Sequence, residues 1–127
     1  METAGKTRVL VVDDEQTIAN TLSWVLDREG YETRKAYSGE EAVAVARTFA
    51  PDLLICDVIM PGISGLDAAI QIRDQHPLCK VLLVSGHISL AELSHQAADR
   101  GYNFAYLAKP VHPQLLLEEL RRLVQEP

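Results

Sequence analysis

Cysteine is scarce in this chain: Cys56 and Cys79 are the two thiols among 127 residues, and no C-x-x-C spacing occurs. Two isolated thiols make neither a disulfide framework nor a zinc site, and a reducing cytoplasm is the expected location. Apolar runs are short, far below the roughly 20 residues a membrane helix needs. Met1 to Arg8 is polar where a signal peptide would be apolar. Basic blocks are missing too. With 12 Lys and Arg against 18 Asp and Glu the net charge is −6, so nothing draws the chain to nucleic acid or to an anionic membrane. His76, His87, His95 and His112 lack the spacing of metal ligands. With no repeat, linker or low-complexity tract, residues 1–127 read as one domain.

What is present is an alternation of strand and helix signals. Arg8-Val9-Leu10-Val11-Val12 is a short β-branched run bounded by polar residues, the pattern of a strand buried on both faces. Asp52 to Asp57 and Val81 to Val84 repeat it, and Phe104 to Leu107 is a shorter example. Tyr31 to Ala36 is polar and alternates weakly, which suits an edge strand. Gln16 to Glu29 carries Ile18, Leu22, Val25 and Leu26 at helical spacing, with Gly30 as its stop. Ser38 and Glu41 form a capping box that opens a helix with Ala42, Val45, Ala46 and Phe49 on one face, closed off by Pro51. Ser64 caps a helix with Leu66, Ala69 and Ile70 inward, ending before Pro77. Ser89 and Glu92 make a second capping box, and that helix stops at Gly101. Pro113 suits the first position of the last helix, with Leu116, Leu120, Leu123 and Val124 buried. Strand-helix alternation with tight loops implies parallel strands and right-handed crossovers, a doubly wound α/β domain.

The polar residues that end these strands belong together. Asp13 and Asp14 follow the first strand, Asp57 ends the third, Ser85 follows the fourth and Lys109-Pro110 the fifth. In an open α/β sheet the carboxyl ends of the strands share one edge, and ligands bind there. Carboxylates, a hydroxyl and an ammonium converging on one site suit Mg2+ and a phosphoryl group.

The identity and spacing of these landmarks, with the loop Asp57-x-x-Met60-Pro61-Gly62 and the pair Lys109-Pro110, resemble the CheY-like receiver domain of two-component response regulators. The resemblance runs from Arg8 to about Gln125. It implies a (βα)5 flavodoxin-like fold with strand order 2-1-3-4-5, and a phosphorelay protein that takes a phosphoryl group onto Asp57 from a sensor histidine kinase or phosphotransfer protein. Mg2+ would be held by Asp13, Asp14, Asp57 and the backbone carbonyl of Ile59, with Asp14 favoured over Asp13 as the nearer ligand and the choice left open. Glu15 could join them. Lys109 would face one phosphoryl oxygen and Ser85 another, while Gly86 leaves room for the phosphodonor. Tyr106 matches the aromatic that turns inward when Ser85 moves, so that phosphorylation shifts a two-state equilibrium. Ile59 and His87 flank the site and are the positions expected to tune phosphoryl lifetime. Such a domain catalyses its own phosphorylation and dephosphorylation, yet its task is signalling to a downstream protein or an attached output domain. Monomer and phosphorylation-dependent homodimer are both open, as is whether the chain stands alone or is part of a longer regulator.

The chain departs from the pattern at Gly101-Tyr102-Asn103-Phe104-Ala105, where aromatics replace the family's small acidic turn. Taken singly, Asp13 could cap a helix, Lys109 could be solvated and Tyr106 could be a half-buried sheet residue; the joint arrangement carries the reading. Strand alternation turns Cys56 away from Asp57 and into the core, Cys79 is an inert turn residue, and Trp24 has no assigned role. The alternative is a pseudo-receiver, a binding module independent of phosphorylation, although such modules normally lose one of the residues retained here. A haloacid dehalogenase-type phosphatase would want its nucleophile after the first strand and a cap domain. An FMN-binding domain would not present Asp13-Asp14-Glu15 to a phosphate.

Overall fold

Strand and helix alternate five times: β1 (Arg8–Val12), α1 (Gln16–Arg28), β2 (Glu32–Ala36), α2 (Gly39–Phe49), β3 (Leu53–Asp57), α3 (Gly65–Gln75), β4 (Lys80–Ser85), α4 (Leu90–Asp99), β5 (Ala105–Ala108) and α5 (Pro113–Gln125). The computed structural model describes residues 5–86 and 88–126. The strands form one parallel sheet in the order β2-β1-β3-β4-β5, so the polar β2 is an edge strand as its composition implies. No helix among the described residues is long and apolar enough to cross a membrane.

Period-two alternation sorts the core into two halves. Leu10 and Val12, Leu54 and Cys56, and Val81 and Leu83 face the side covered by α2, α3 and α4. Val9 and Val11, Leu53 and Ile55, and Leu82 and Val84 face the side of α1 and α5. Both faces of the three central strands are therefore buried, which is why they are written as unbroken apolar runs. Cys56 lies in this core, and burial pushes its thiol pKa well up. Cys79 closes the turn before β4, its N–H donating to His76 C=O at 2.9 Å, and is also fully buried, its pKa pushed up to about 12 by desolvation.

Caps set the helix starts. Ser38, Ser64 and Ser89 each accept the N–H three residues on, from Glu41, Asp67 and Glu92 at 3.0, 3.1 and 3.0 Å. The return arm of the first capping box is displaced: Glu41 accepts from Tyr37 N–H at 2.7 Å, one residue ahead of the cap. At α5 the cap is His112, whose Nδ1 accepts from Gln114 N–H at 3.1 Å, followed by Pro113 in the first turn.

Three expectations shift. The buried face of α1 is Ala19, Ser23 and Leu26, and Ile18, Leu22 and Val25 are only half-buried. The two small side chains let the helix settle against the sheet along their own line, which turns the larger residues toward its flanks. Val124 is 46% exposed: it lies about 100° round the helix from Leu123, on the flank of the buried stripe of Leu116, Leu120 and Leu123 and in the last turn of α5. Strand β5 begins at Ala105, and Phe104 packs into the core beneath it with Tyr102 tilted against it at 5.4 Å.

Candidate functional site

Sheet register alone gathers the site. Val12 pairs with Cys56, Asp57 with Val84, and Ser85 with Ala108. The residues that end β1, β3, β4 and β5 therefore stand side by side on one edge. Alternation then divides them. Asp13, Asp57 and Lys109 continue the parity of Val11, Ile55 and Leu107 and belong to the α1/α5 face, whereas Ser85 and Tyr106 share the parity of Leu83 on the α4 face.

The first group is an ionic cluster. Lys109 Nζ donates to Asp13 Oδ2 at 2.9 Å and lies 3.4 Å from Asp57 Oδ2. Asp13 and Asp57 are buried, and Asp13 Oδ1 also accepts the Glu15 N–H at 2.9 Å. Asp14 is exposed, and Asp13, Asp14 and Asp57 can bring carboxylate oxygens within 4.8 Å of one another. Burial raises the pKa of Asp57 above its ordinary value; Lys109 opposes that, and the charges of Asp13 and Asp14 reinforce it. For Lys109 burial acts to lower the pKa, but the hydrogen bond to Asp13 and the charges of both aspartates outweigh it and the net shift is upward. A donor set made only of carboxylate oxygens, more negative than one lysine can balance, fits a hard divalent cation such as Mg2+. Asp14 is the solvent-facing member of this donor set, and Asp13 and Asp57 are its buried members.

Other named residues flank this cluster. Ile59, two residues after Asp57, is 50% exposed. Gly86 is exposed at its rim, and a Cβ there would come within 3.3 Å of Lys109 Cβ. Ser85 is turned to the loop behind it: its hydroxyl donates to Ile88 C=O at 3.1 Å and accepts Ile88 N–H at 3.2 Å. Tyr106 packs against the α4-side core with its hydroxyl buried and, among the described residues, without a partner. His87 lies outside the described residues.

Two features were not legible beforehand. Gly65 opens α3 so close to the acceptor strand that a Cβ would stand 1.9 Å from the carbonyl oxygen of Asp57, and in the sequence it is an ordinary residue after a cap. Beside Asp13, Asp57 and Lys109 a cavity of about 520 Å³ opens against Ile18, Leu22 and Val111. The half-buried Ile18 and Leu22 of α1 form part of its wall.

A parallel 2-1-3-4-5 sheet with an acidic cluster and a lysine on its carboxyl edge is the architecture of CheY-like receiver domains. The chain belongs to the response regulator receiver domain family, which matches residues 9–121. It is 37% identical over 118 residues to the transcriptional activator protein ExaE of Pseudomonas putida, covering 91% of this chain and 54% of that one. It thus spans about half the length of such a regulator. Protein PilH of Pseudomonas aeruginosa is 29% identical over 117 residues, covering 92% of this chain and 97% of its own. The receiver domain protein from Methanospirillum hungatei superposes with a TM-score of 0.86 at 31% identity, covering 96% of each chain.

Proposed function

We propose that this receiver domain accepts a phosphoryl group on Asp57 from a histidine kinase or phosphotransfer protein. The observation that carries the reading is the cluster itself: Asp13, Asp14 and Asp57 within reach of one another, with Lys109 bonded to Asp13 and 3.4 Å from Asp57. Asp13, Asp14, Asp57 and the Ile59 carbonyl would hold Mg2+. When bound, the ion supplies positive charge that offsets repulsion between the carboxylates and an incoming phosphoryl group.

An Asp57 carboxylate oxygen forms the new O–P bond while the N–P bond to the donor imidazole breaks and the electron pair returns to the ring nitrogen. Lys109 holds an ammonium against a phosphoryl oxygen. Ser85 exchanges its bonds to Ile88 for one to the phosphoryl group, and Tyr106 reports the change to the face of α4, β5 and α5. A downstream protein or attached output domain would read that face. The aspartyl phosphate is lost when water attacks phosphorus, a step that Ile59 and His87 would gate. A cytoplasmic setting suits this chemistry.

The test is intact mass after incubation with acetyl phosphate or phosphoramidate, with and without Mg2+, beside an Asp57→Asn variant. One phosphoryl adduct on the parent, dependent on Mg2+ and absent from the variant, is expected. No adduct from either donor, with no binding of beryllofluoride, would instead make the domain a pseudo-receiver.

A further inference from the structure

Glu40 stands in the first turn of α2, where a carboxylate is favourable whatever else it does. It does more than that. It reaches across to the loop between β3 and α3 and accepts the Ile63 N–H at 3.0 Å. The fit is close on both sides. A Cβ on Gly62, whose φ is +85°, would meet the Glu40 carboxylate oxygens at 2.5 and 2.7 Å, and a Cβ on Gly39 would meet the Ile63 side chain at 2.6 Å. A side chain on Gly62 would displace the Glu40 carboxylate from its place against the loop, and one on Gly39 would crowd Ile63, whose carbonyl oxygen lies 3.1 Å from the Cβ position.

The ends of that loop are already tied. Val58 N–H donates to Val84 C=O at 3.1 Å, and Gly65 N–H donates to Val58 C=O at 2.8 Å. Its middle, residues 59–63, is anchored differently. Met60 drops its side chain into the core, which fixes depth but not the direction of the peptide groups. Among the described residues, the directional tie from this stretch to a neighbouring element is the bond from Ile63 to Glu40.

We propose that Glu40 is a positioning residue for the acidic pocket: by holding Ile63 it sets where the Ile59 backbone lies, and through it the pocket's affinity for Mg2+. This rests on the assignment of Mg2+ to that pocket. Groups that orient a metal ligand directly are typically worth tenfold or more in affinity. Glu40 acts several residues from Ile59 and is itself exposed, so a smaller effect, about three- to fivefold, is expected.

The experiment titrates the full chain with Mg2+, followed by backbone amide NMR, and measures hydrogen exchange at Ile63 without metal. Glu40→Gln keeps an acceptor for Ile63, Glu40→Ala removes it, and Glu41→Ala disturbs the same helix turn without touching the loop. Weaker Mg2+ binding and faster Ile63 exchange in Glu40→Ala alone, with Glu40→Gln within about twofold of the parent, is the expected result. Unchanged Mg2+ affinity in Glu40→Ala, or an equal loss in Glu41→Ala, overturns the proposal. Should the parent itself bind no Mg2+, the metal assignment fails; Ile63 exchange then decides whether the clamp exists, and equal exchange in Glu40→Ala and parent removes that as well.

Discussion

Lys109 and Asp13 stand 96 positions apart in the chain and 2.9 Å apart in the fold, joined at the ends of β5 and β1. The bond crosses the sheet from an edge strand to an interior one, and it places the ammonium against Asp57 as well. Removing it leaves two buried carboxylates facing each other.

Lys109→Met is therefore expected to cost about 1–2 kcal/mol near pH 7 without metal, measured by urea unfolding. The sign follows from Lys109 itself: its pKa is raised in the fold, so its stabilisation is fully present below the ordinary lysine value and is lost only as pH rises through the raised one. Added Mg2+ should restore part of the loss. A variant as stable as the parent at neutral pH would show that the cluster contributes nothing to folding.

Asp57→Asn should raise the melting temperature at neutral pH in the absence of metal. The Asp57 pKa is raised by burial, so the folded state holds that proton more tightly than the unfolded chain does. Stability then falls as pH rises from the ordinary carboxylate value to the raised one, and the asparagine escapes that penalty. Below the ordinary range both forms are neutral and the difference should close. Melting curves from pH 3 to pH 8 with no such convergence would contradict this account.

Tyr106→Phe should stabilise the unphosphorylated protein by about 1 kcal/mol, because the Tyr106 hydroxyl is buried with no partner among the described residues. Chemical denaturation reads the effect, and a lower midpoint for the variant would count against it.

Ile59→Asn should shorten the life of the aspartyl phosphate several-fold. Ile59 is a half-exposed apolar side chain two residues after the acceptor, and an amide at that position would offer the attacking water a hydrogen bond that isoleucine cannot. Loss of phosphoryl signal after donor removal measures the rate, and equal half-lives would dismiss a gating role for this residue.

Ala50→Gly should stabilise the domain by about 0.5–1 kcal/mol. Ala50 caps α2 in the left-handed region, with φ 49° and ψ 69°, a conformation that costs an alanine more than a glycine. A thermal shift in the destabilising direction would place the dominant effect in the unfolded chain instead.

Much of this protein is determined locally and is readable along the chain. Unbroken apolar runs specify strands covered on both faces, serines three residues ahead of an acidic N–H specify helix starts, and the polar Glu32–Ala36 specifies an edge. Parallel connections then bring Asp13, Asp57, Ser85 and Lys109 to one edge, because strand ends in a parallel sheet all point the same way. The tertiary structure decided what depends on distance between elements. Ala19, Ser23 and Leu26 form the buried face of α1, and the half-buried Ile18 and Leu22 line a cavity beside the acceptor. Ser85 is engaged by Ile88, and Glu40 reaches Ile63 although a first-turn glutamate looks like any other. Periodicity specifies which side of an element is apolar, but the contact a side chain makes across a gap depends on how far apart two backbones settle, and only the packed fold sets that separation.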